Sequence, residues 1–364
     1  MNTATNILNV LDYEKASQSR LDSTANDYYS SGAMDELTLS DNINAFTRIK
    51  LLPKVLRDVS NVVTSTHINA ASLSSPVIIS PTAFLGMAHS DGELAVARAA
   101  EHSGNIMICS TMSNYPIEDI TATTNTDVWL QLYVYKDKEA TLALIDRAKN
   151  AGCKAIVITV DAPFLGHRER DVRNQFQLPD HLHMSNLHAL GHGKLPDKEG
   201  HSGLAHYFDS LIDKSLTWRD IKWLKEHANM PIYLKGILHP EDASLAVEYG
   251  IDGIIVSNHG GRQLDGSIAS IDALPAVAKV VNKQIPIIMD GGIRRGSDIL
   301  KALALGAQCV GVGRPVIWGL SHSGQQGVED IFRILQSELS LAMALSGCAN
   351  ITDITKDLIV QKML

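Results

Sequence analysis

Several features that the sequence lacks narrow the class of protein. No run of about 18 apolar residues occurs, so no segment is predicted to span a membrane. The first residues, MNTATNILNVLDYEKASQSR, have no basic start followed by an apolar core, so they do not resemble a signal peptide. The final KML is a poor match to a Ser-Lys-Leu peroxisomal signal. We therefore expect a cytoplasmic protein without a membrane partner.

The chain also has few cysteines and fewer basic than acidic residues. The four cysteines, Cys109, Cys153, Cys309 and Cys348, are scattered, with no CxxC pair and no metal-finger spacing. This usage predicts reduced thiols and no metal site. Lys and Arg number 32 against 40 Asp and Glu, which gives a net charge of −8. No basic stripe stands out, so we expect no nucleic-acid partner.

Eight short runs rich in Val and Ile recur along the chain, and helical patterns separate them. The predicted strands are residues 76–81, 106–110, 128–134, 155–161, 232–237, 253–258, 286–292 and 309–315. Intervening segments such as KEATLALIDRAKNAG have helical spacing, an acidic start and a glycine stop. Eight strands alternating with helices favour a (β/α)8 TIM barrel. A doubly wound sheet is the alternative, but no GxGxxG follows the first strand.

The length of 364 residues suits one large barrel with insertions, so we predict a single domain over residues 1–364. Residues 1–75 are predicted to form two helices and a cap over one barrel end, with YEKASQSRLDSTANDYYSSGA as the first helix. About 70 residues separate the fourth and fifth strands. The insertion there, at about 170–217, is expected to be a lid over the active site. Its six histidines are irregularly spaced, which favours a solvated loop over a metal site.

Polar residues stand at or just after the end of every predicted strand. In chain order they are Thr82, Ser110, Thr111, Gln131, Tyr133, Thr159, Asp161, Arg168, Lys235, His259, Arg262, Asp290, Arg294 and Arg314. Any single one could be a satisfied core group. Because barrels carry their catalytic groups at the C-terminal ends of the strands, the whole set predicts an active site on that rim.

The last two strands carry a more specific pattern. DGGIRRGSD and VGVGRP place glycines and arginines directly before predicted helix starts. Backbone N–H groups and a helix dipole attract anions at such places, and phosphate sites after strands seven and eight recur in barrels. Tight turns alone are the alternative explanation. Lys235, inside strand five, is costly to bury without an anionic partner, and we expect a bound flavin to supply it.

The stretch IIVSNHGGRQLDG, residues 254–266, ends a hydrophobic strand with His259 and Arg262 three residues apart. It is either an ordinary polar loop or a base beside an anion clamp. The motifs SPTAF, LQLYVYKD, LKGI, SNHGGRQLD, DGGIRRG, GVGRP and LSGC occur in this order over almost the whole chain. In this they resemble the FMN-dependent 2-hydroxy acid oxidases and dehydrogenases, a family that includes glycolate oxidase and L-lactate oxidase. SNHGGRQLD is the most specific of these motifs.

The resemblance implies FMN as the cofactor, a small (S)-2-hydroxy acid and O2 as substrates, and a homotetramer. The catalytic set that it implies is His259, Asp161, Tyr133 and Arg262. The implied substrate contacts are Tyr28, Phe84, Met112, Tyr133, Arg168, Tyr207 and Arg262. The implied flavin contacts are Pro81, Thr82, Ala83, Ser110, Gln131, Thr159, Lys235, Ser257, Asp290, Gly292, Arg294, Gly313 and Arg314.

The chemistry of a 2-hydroxy acid agrees with these implied roles. A guanidinium matches a carboxylate in two hydrogen bonds, and histidine is the base whose ordinary pKa is nearest neutrality. Asp161 would raise the pKa of His259 and two nearby arginines would lower it. Near-cancellation of these effects is our hypothesis for a neutral His259. The residues leave open whether the C–H bond breaks by hydride transfer or by proton abstraction.

Two positions depart from plant-type glycolate oxidases, which have a tryptophan at Met112 and a methionine at Phe84. Methionine is smaller than tryptophan and has no N–H donor, so the pocket should admit a methyl group more easily. Phe84 and Phe208 would line that space. This favours L-lactate over glycolate, although plain packing at the barrel rim explains the two residues equally well. One methylene is worth only about 1–3 kcal/mol in such a pocket.

The electron acceptor is expected to be O2, which gives H2O2 and pyruvate. The lid insertion shows no long apolar or basic amphipathic run that would dock on a membrane, and Ala83 fits the oxygen-using members of the family. The alternatives are a glycolate oxidase, a soluble dehydrogenase with another acceptor, and a non-redox barrel. A non-redox barrel would need the phosphate site but not His259, Arg262 and Arg168.

Overall fold

The first helices of the chain are shorter than the sequence pattern predicts. The computed structural model describes residues 7–188, 190–195 and 202–361. It begins with α1 (Val10–Ser17), α2 (Ser23–Ser30), α3 (Leu37–Arg48), β1 (Ile49–Leu51), β2 (Thr66–Ile68) and β3 (Ala71–Leu73). The stretch predicted as one helix thus holds both α1 and α2. The Asp22 side chain accepts a hydrogen bond from the Ala25 backbone N–H, so it caps α2 and separates the two helices.

Eight parallel strands then close into a barrel, which confirms the predicted fold and excludes the doubly wound alternative. They are β4 (Val77–Ile79), β5 (Met107–Cys109), β6 (Val128–Leu132), β7 (Ile156–Thr159), β8 (Ile232–Ile237), β9 (Gly253–Val256), β10 (Ile287–Asp290) and β11 (Cys309–Val312). Each lies inside a predicted strand. The pairing of Val310 with Val77 joins β11 to β4 and closes the barrel. Outside it, β12 (Ile359–Gln361) pairs antiparallel with β1.

Helices connect the barrel strands. They are α4 (Gly92–Ser103), α5 (Ile117–Ala122), α6 (Lys138–Asn150), α7 (Glu169–Arg173), α8 (Ser185–His188), α9 (Gly203–Leu211), α10 (Trp218–Ala228), α11 (Pro240–Glu248), α12 (Ser270–Val281), α13 (Gly296–Ala304) and α14 (Arg314–Leu345). The acidic starts act as caps: Asp137 accepts hydrogen bonds from two backbone N–H groups of α6. In the described ranges, none of the helices combines the length and apolar character needed to cross a membrane.

Side chains inside the barrel change from apolar to polar along each strand. One buried cluster contains Ile78, Ile108, Trp129, Val157, Tyr233, Ile255, Ile288 and Cys309, one from each strand. Two residues further along the same strands come Ser80, Ser110, Gln131, Thr159, Lys235, Ser257, Asp290 and Gly311. Because side chains of a strand alternate between its two faces, both sets point inward. The barrel therefore has an apolar core and a polar layer at its C-terminal end.

Segments outside the barrel cover both of its ends. Ile68 and Leu73, from the β2–β3 hairpin, join the apolar inner cluster and close the N-terminal end. The lid insertion supplies α7, α8 and α9, although residues 189 and 196–201 of the predicted range lie outside the described residues. The C-terminal end of α9 is tied to the chain after β6, since the Lys136 N–H donates to the Leu211 carbonyl at 2.9 Å.

The inner apolar layer makes a testable contribution to stability. Ile255→Ala is expected to lower the free energy of unfolding by about 2–5 kcal/mol, because it leaves a cavity in the closed barrel. Leu345→Ala is the matched control: Leu345 is 69 % exposed, and its loss should change that free energy by less than about 0.5 kcal/mol. Urea unfolding followed by circular dichroism compares the two. Equal losses would contradict this account of the barrel core.

Candidate active site

A cavity at the C-terminal end of the barrel is lined by residues from all eight strands or the loops that follow them. The sequence-predicted residues that line it are Tyr28, Pro81, Thr82, Ala83, Ser110, Met112, Gln131, Tyr133, Thr159, Arg168, Lys235, His259, Arg262, Asp290, Gly292, Arg294, Gly313 and Arg314. Four further predicted residues, Phe84, Asp161, Tyr207 and Ser257, lie behind this lining. The cavity therefore brings most of the predicted set together.

Gln131 organises one side of the cavity floor. Its Nε2 donates to Thr159 Oγ1 at 3.0 Å, and its Oε1 accepts from the Thr111 backbone N–H at 3.2 Å. Ser110 Oγ also donates to Oε1, at 3.4 Å. All these side chains are buried. Since each polar group has a partner, the amide has a fixed orientation and presents a defined donor and acceptor pattern to a ligand.

Lys235 organises another part of the floor. Its Nζ donates to Ser257 Oγ at 2.9 Å and lies 3.3 Å from Asp290 Oδ2, and both charged side chains are buried. Ser80 Oγ donates to the same Asp290 oxygen at 3.3 Å. Asp290 thus gives Lys235 an anionic partner within the protein, and the expected contact of Lys235 with a flavin stays a prediction. The other Asp290 oxygen, Oδ1, has no hydrogen-bond partner among the described residues.

His259 follows β9 in a left-handed backbone conformation, with φ +59°. This conformation is strained for a residue other than glycine. The loop is held by Asn258, whose Oδ1 accepts from the Gly261 N–H at 3.1 Å. Asn258 and Asn42 of α3 also exchange two amide hydrogen bonds of 2.8 Å each. Sequence reasoning missed Asn42, because nothing in the pattern of α3 shows which distant loop it meets.

Asp161 holds the imidazole of His259. The distance between His259 Nδ1 and Asp161 Oδ1 is 2.9 Å. A carboxylate accepts the Nδ1 proton, which leaves Nε2 as the acceptor on the imidazole. Because His259 lines the cavity, this nitrogen is the basic atom available there. Gly236 packs so tightly against Asp161 that a Cβ at that position would lie 2.5 Å from the Asp161 Cβ.

Burial has the largest effect on the pKa of His259. It lowers the pKa of His259, and the charges of Lys235 and Arg168 lower it further, whereas Asp161 raises it. The net direction is downward, so His259 is neutral near pH 7. The hypothesis that one aspartate and two arginines nearly cancel is therefore corrected. Burial raises the pKa of Asp161 itself, but His259 and Lys235 outweigh it and the pKa lies below its usual value.

Two guanidinium groups lie near His259: that of Arg168 is buried, and that of Arg262 is partly buried. Arg262 Nη1 donates to the carbonyl groups of Tyr28 at 2.6 Å and Ser31 at 2.8 Å. Arg168 Nε donates to the Arg262 carbonyl at 3.3 Å, and its Nη1 lies 4.0 Å from Asp171. Burial, together with the charge of Arg262, lowers the pKa of Arg168 to about 10. An anion in the cavity would therefore be attracted by both groups.

Two more arginines lie on the side of β10 and β11. Arg314 donates three hydrogen bonds of 3.0 Å each, to the carbonyl groups of Tyr29, Gly260 and Ser31. Arg294 donates to the Ile293 carbonyl and lies 4.7 Å from the centre of the Trp318 ring. Its Nε has no hydrogen-bond partner within the described part of the chain. Burial lowers the pKa of both guanidinium groups.

These features fit a phosphate-bearing flavin. The unpartnered Arg294 Nε and the guanidinium group of Arg314 lie at the predicted phosphate site, where a dianion would accept a hydrogen bond from Arg294 and be attracted by both charges. Gly313 has room beside it: a Cβ placed there would meet its nearest neighbour, Thr82 Oγ1, at 3.6 Å. Lys235 and Gln131 supply fixed polar atoms on the floor for the polar edge of a ring system.

The structure places two predicted substrate contacts elsewhere. Phe84 is fully buried, with its ring centre 5.6 Å from Tyr28 and 6.2 Å from Phe176, so it supports the wall from behind. Tyr207 is also fully buried, and its hydroxyl lies 2.7 Å from that of Tyr135. The apolar lining includes Met112, Leu165, Leu204 and Phe208. Leu204 was missed because the sequence does not show which face of α9 meets the cavity, and Leu165 was missed because it lies in an irregular loop between β7 and α7.

Comparison with known proteins shows the family. Residues 17–361 match the model of the FMN-dependent dehydrogenase family. The chain is 48 % identical over 351 residues to the L-lactate oxidase of Nostoc sp., which covers 95 % of this chain and 96 % of that protein. It is 48 % identical over 350 residues to glycolate oxidase 3 of Arabidopsis thaliana, which covers 96 % and 95 %. The human 2-hydroxyacid oxidase 1 is likewise 48 % identical over 351 residues, covering 96 % and 95 %.

A solved structure agrees with these relatives. The crystal structure of mandelate oxidase with (S)-4-hydroxymandelic acid superposes with a TM-score of 0.93 at 38 % identity, covering 98 % of this chain and 99 % of that one. The fold and the site thus define a flavin-dependent oxidoreductase built on a (β/α)8 barrel. The chain belongs to the FMN-dependent dehydrogenase family, whose members compared above are oxidases of 2-hydroxy acids.

The dependence of the base on Asp161 is testable. Asp161→Asn should lower kcat/KM roughly 100-fold, because His259 loses the carboxylate that orients it and stabilises its protonated form. Activity requires neutral His259, so kcat/KM rises with pH through the His259 pKa and is flat above it. Since Asp161 raises that pKa, the acidic limb of the pH profile should move to lower pH in the variant.

The matched control is Asp330→Asn. The Asp330 carboxylate accepts a hydrogen bond of 2.9 Å from the Tyr13 hydroxyl, and neither residue lines the cavity. The pH profile of this variant should coincide with that of the wild type. Bound flavin is quantified by absorbance in each variant, so that loss of cofactor is separated from loss of the base. An acidic limb that stays in place in Asp161→Asn would contradict the assignment of Asp161 as the partner of the base.

Proposed function

We propose that this enzyme oxidises L-lactate to pyruvate with FMN and transfers the electrons to O2, which gives H2O2. The observation that carries the proposal is the placement of a neutral, carboxylate-held histidine and two arginines, Arg168 and Arg262, in one cavity. A phosphosugar isomerase or a silent flavin binder would need the phosphate site, but not this combination. The relatives named for L-lactate and for glycolate support a small 2-hydroxy acid as the substrate.

The substrate carboxylate is held by Arg262 and Arg168, with the hydroxyl groups of Tyr28 and Tyr133 as further donors. Both tyrosines are buried beside these arginines, and burial raises the pKa of each, so they stay protonated and can donate. Two guanidinium groups and two phenols match the lone pairs of one carboxylate. This arrangement places the 2-hydroxyl group of the substrate on the His259 side of the cavity.

His259 Nε2 takes the proton of the 2-hydroxyl group. Asp161 then stabilises the imidazolium through the Nδ1 hydrogen bond, and its own pKa lies low enough to keep it ionised. FMN, when bound, would accept the C–H hydrogen of the substrate together with its two electrons and would supply the electrons to the acceptor. Leu204 and Phe208 of α9, with Met112, limit the access of water to the reacting carbon.

The residues proposed to hold FMN divide into two groups. Those for the ring are Pro81, Thr82, Ala83, Ser110, Gln131, Thr159, Lys235 and Ser257, and those for the ribityl chain and phosphate are Asp290, Gly292, Arg294, Gly313 and Arg314. Ser257 acts from behind the lining, since its hydroxyl accepts from Lys235 Nζ. Asp290 Oδ1, which has no partner among the described residues, would accept a hydrogen bond from a hydroxyl group of the ribityl chain.

The apolar side of the cavity supports L-lactate over glycolate. Met112, Leu165, Leu204 and Phe208 provide a surface on which a methyl group is favourably buried. Glycolate has only a hydrogen at this position. Glycolate oxidation remains the second candidate, because relatives of equal identity include a glycolate oxidase.

We further propose a cytoplasmic homotetramer. The mass of one chain is 39.5 kDa, and light scattering of the purified holoprotein should report about four times this value. A measured mass equal to that of a single chain would contradict the proposed homotetramer. Fluorescence microscopy of a tagged chain in its native cell tests the proposed localisation. Fluorescence concentrated in punctate organelles would contradict a cytoplasmic protein.

An anaerobic stopped-flow titration tests the function. L-Lactate should bleach the flavin absorbance at much lower concentration than glycolate, and admitted air should rapidly restore the colour. A preference for glycolate would make the protein a glycolate oxidase. Bleaching without recolouring would assign it to the dehydrogenases with another acceptor. A flavin that stays oxidised with every 2-hydroxy acid would overturn the proposal.

Met112 is expected to control the choice between the two substrates. Met112→Trp adds an indole to the cavity wall where the methyl group of lactate would lie, so the ratio of kcat/KM for lactate to that for glycolate should fall roughly tenfold. Met112→Leu conserves volume and should leave the ratio within about threefold of the wild type. Steady-state kinetics with both substrates measures the ratio. An unchanged ratio in Met112→Trp would show that the methyl group lies elsewhere.

A further inference from the structure

Helix α9 supplies two apolar residues of the cavity wall. Leu204 and Phe208 lie one turn apart on the face that meets the cavity, and the Phe208 ring contacts the Tyr133 ring edge-on at 5.0 Å between centres. Tyr207 lies beside them but points away from the cavity lining, into the protein. Its hydroxyl meets that of Tyr135, two residues beyond Tyr133 on the chain that continues from β6.

We propose that the hydroxyl pair of Tyr135 and Tyr207 is a positioning device that fixes the rotation of α9 and thereby sets the apolar wall that selects the substrate side chain. The selection part of this inference rests on the proposed function. The positioning part concerns the protein alone. Neither tyrosine touches the substrate in this account, because both act through Leu204 and Phe208.

The backbone contacts of α9 do not by themselves fix how the helix is rotated. At its C-terminal end, the Lys136 N–H donates to the Leu211 carbonyl and the Asp213 N–H donates to the Val134 carbonyl, each at 2.9 Å. At its N-terminal end, the Gly203 N–H donates to the Phe176 carbonyl at 3.2 Å. These contacts hold the ends of the helix, and Lys136 Nζ also donates to the carbonyl groups of Asp209 at 3.0 Å and Ser210 at 2.8 Å near its C-terminal end. The Tyr207 side chain makes the buried polar contact in the middle of the helix, and we assign to it the rotation that decides which residues face the cavity.

The chemistry of the pair makes the two tyrosines interdependent. Both are buried, and burial raises the pKa of each, so both hydroxyl groups stay protonated and one donates to the other. Within the described residues, neither hydroxyl has another hydrogen-bond partner. Loss of one hydroxyl leaves the other buried and unsatisfied, whereas loss of both leaves an apolar contact between two rings.

A double-mutant cycle tests the proposal. Tyr135→Phe and Tyr207→Phe are each expected to accelerate amide hydrogen exchange in α9 about tenfold, because water must enter to satisfy the remaining hydroxyl. The double variant should exchange within about threefold of the wild type. Exchange is measured by mass spectrometry on the holoprotein. Tyr13→Phe is the matched control, since it removes a buried tyrosine hydroxyl bonded to Asp330, away from α9.

The same variants report on selection. Each single variant should raise KM for lactate more than for glycolate, leave kcat within about twofold, and lower the ratio of kcat/KM about fivefold; the double variant should recover most of that ratio. If the effects of the two single substitutions simply add in the double variant, the proposal is wrong. Additivity would mean that the two hydroxyl groups do not act as a pair and that each tyrosine only packs against its neighbours. Coupled exchange with an unchanged ratio would overturn the selection part. If neither acid is turned over, the proposed function fails while the exchange cycle still decides the positioning part.

Discussion

The site depends on five cationic side chains gathered in one cavity, of which Lys235, Arg168 and Arg294 are buried and Arg262 and Arg314 are partly buried. Lys235 is paired with Asp290, but Arg168, Arg262, Arg294 and Arg314 have few carboxylates nearby. Main-chain carbonyl groups compensate much of this charge. Three of them, from Tyr28, Tyr29 and Ser31, belong to the C-terminal end of α2, which carries the negative end of the helix dipole. The N-terminal segment is therefore an electrostatic part of the site, and the remaining positive charge attracts anionic ligands.

The same field sets the protonation of the catalytic pair. Lys235 and Arg168 reinforce the effect of burial on the pKa of His259, so the imidazole is neutral. Lys235 also helps to keep Asp161 ionised against the cost of its burial. A neutral base beside an ionised carboxylate is the pair that proton removal from a hydroxyl group requires. One lysine thus serves both sides of this pair, in addition to its place on the cavity floor.

The barrel and most of the site follow from the sequence for a physical reason. Each strand is a short apolar run, and its inward face turns polar at the C-terminal end, so Gln131, Lys235 and Asp290 reveal the rim directly. The contact between Lys235 and Asp290 does not follow, because β8 and β10 are not adjacent and their side chains meet inside the closed barrel. Asp22, the N-cap residue that separates α1 from α2, could have been recognised in the sequence, but the apolar periodicity of the stretch favoured one continuous helix. The lining by Leu204 could not be predicted, since it depends on the rotation of α9.

In the proposed function, chemistry and selectivity reside on different parts of the molecule. The base, its carboxylate and the arginines follow barrel strands whose register is fixed by closure, whereas part of the apolar wall comes from α9, which is attached to the barrel by a few contacts. Relatives named for L-lactate, glycolate and mandelate differ in the substituent of their substrate and share its carboxylate and hydroxyl groups. A rigid rim that reads the shared groups, combined with a separately anchored helix facing the substituent, allows the substrate to change while the reaction is kept.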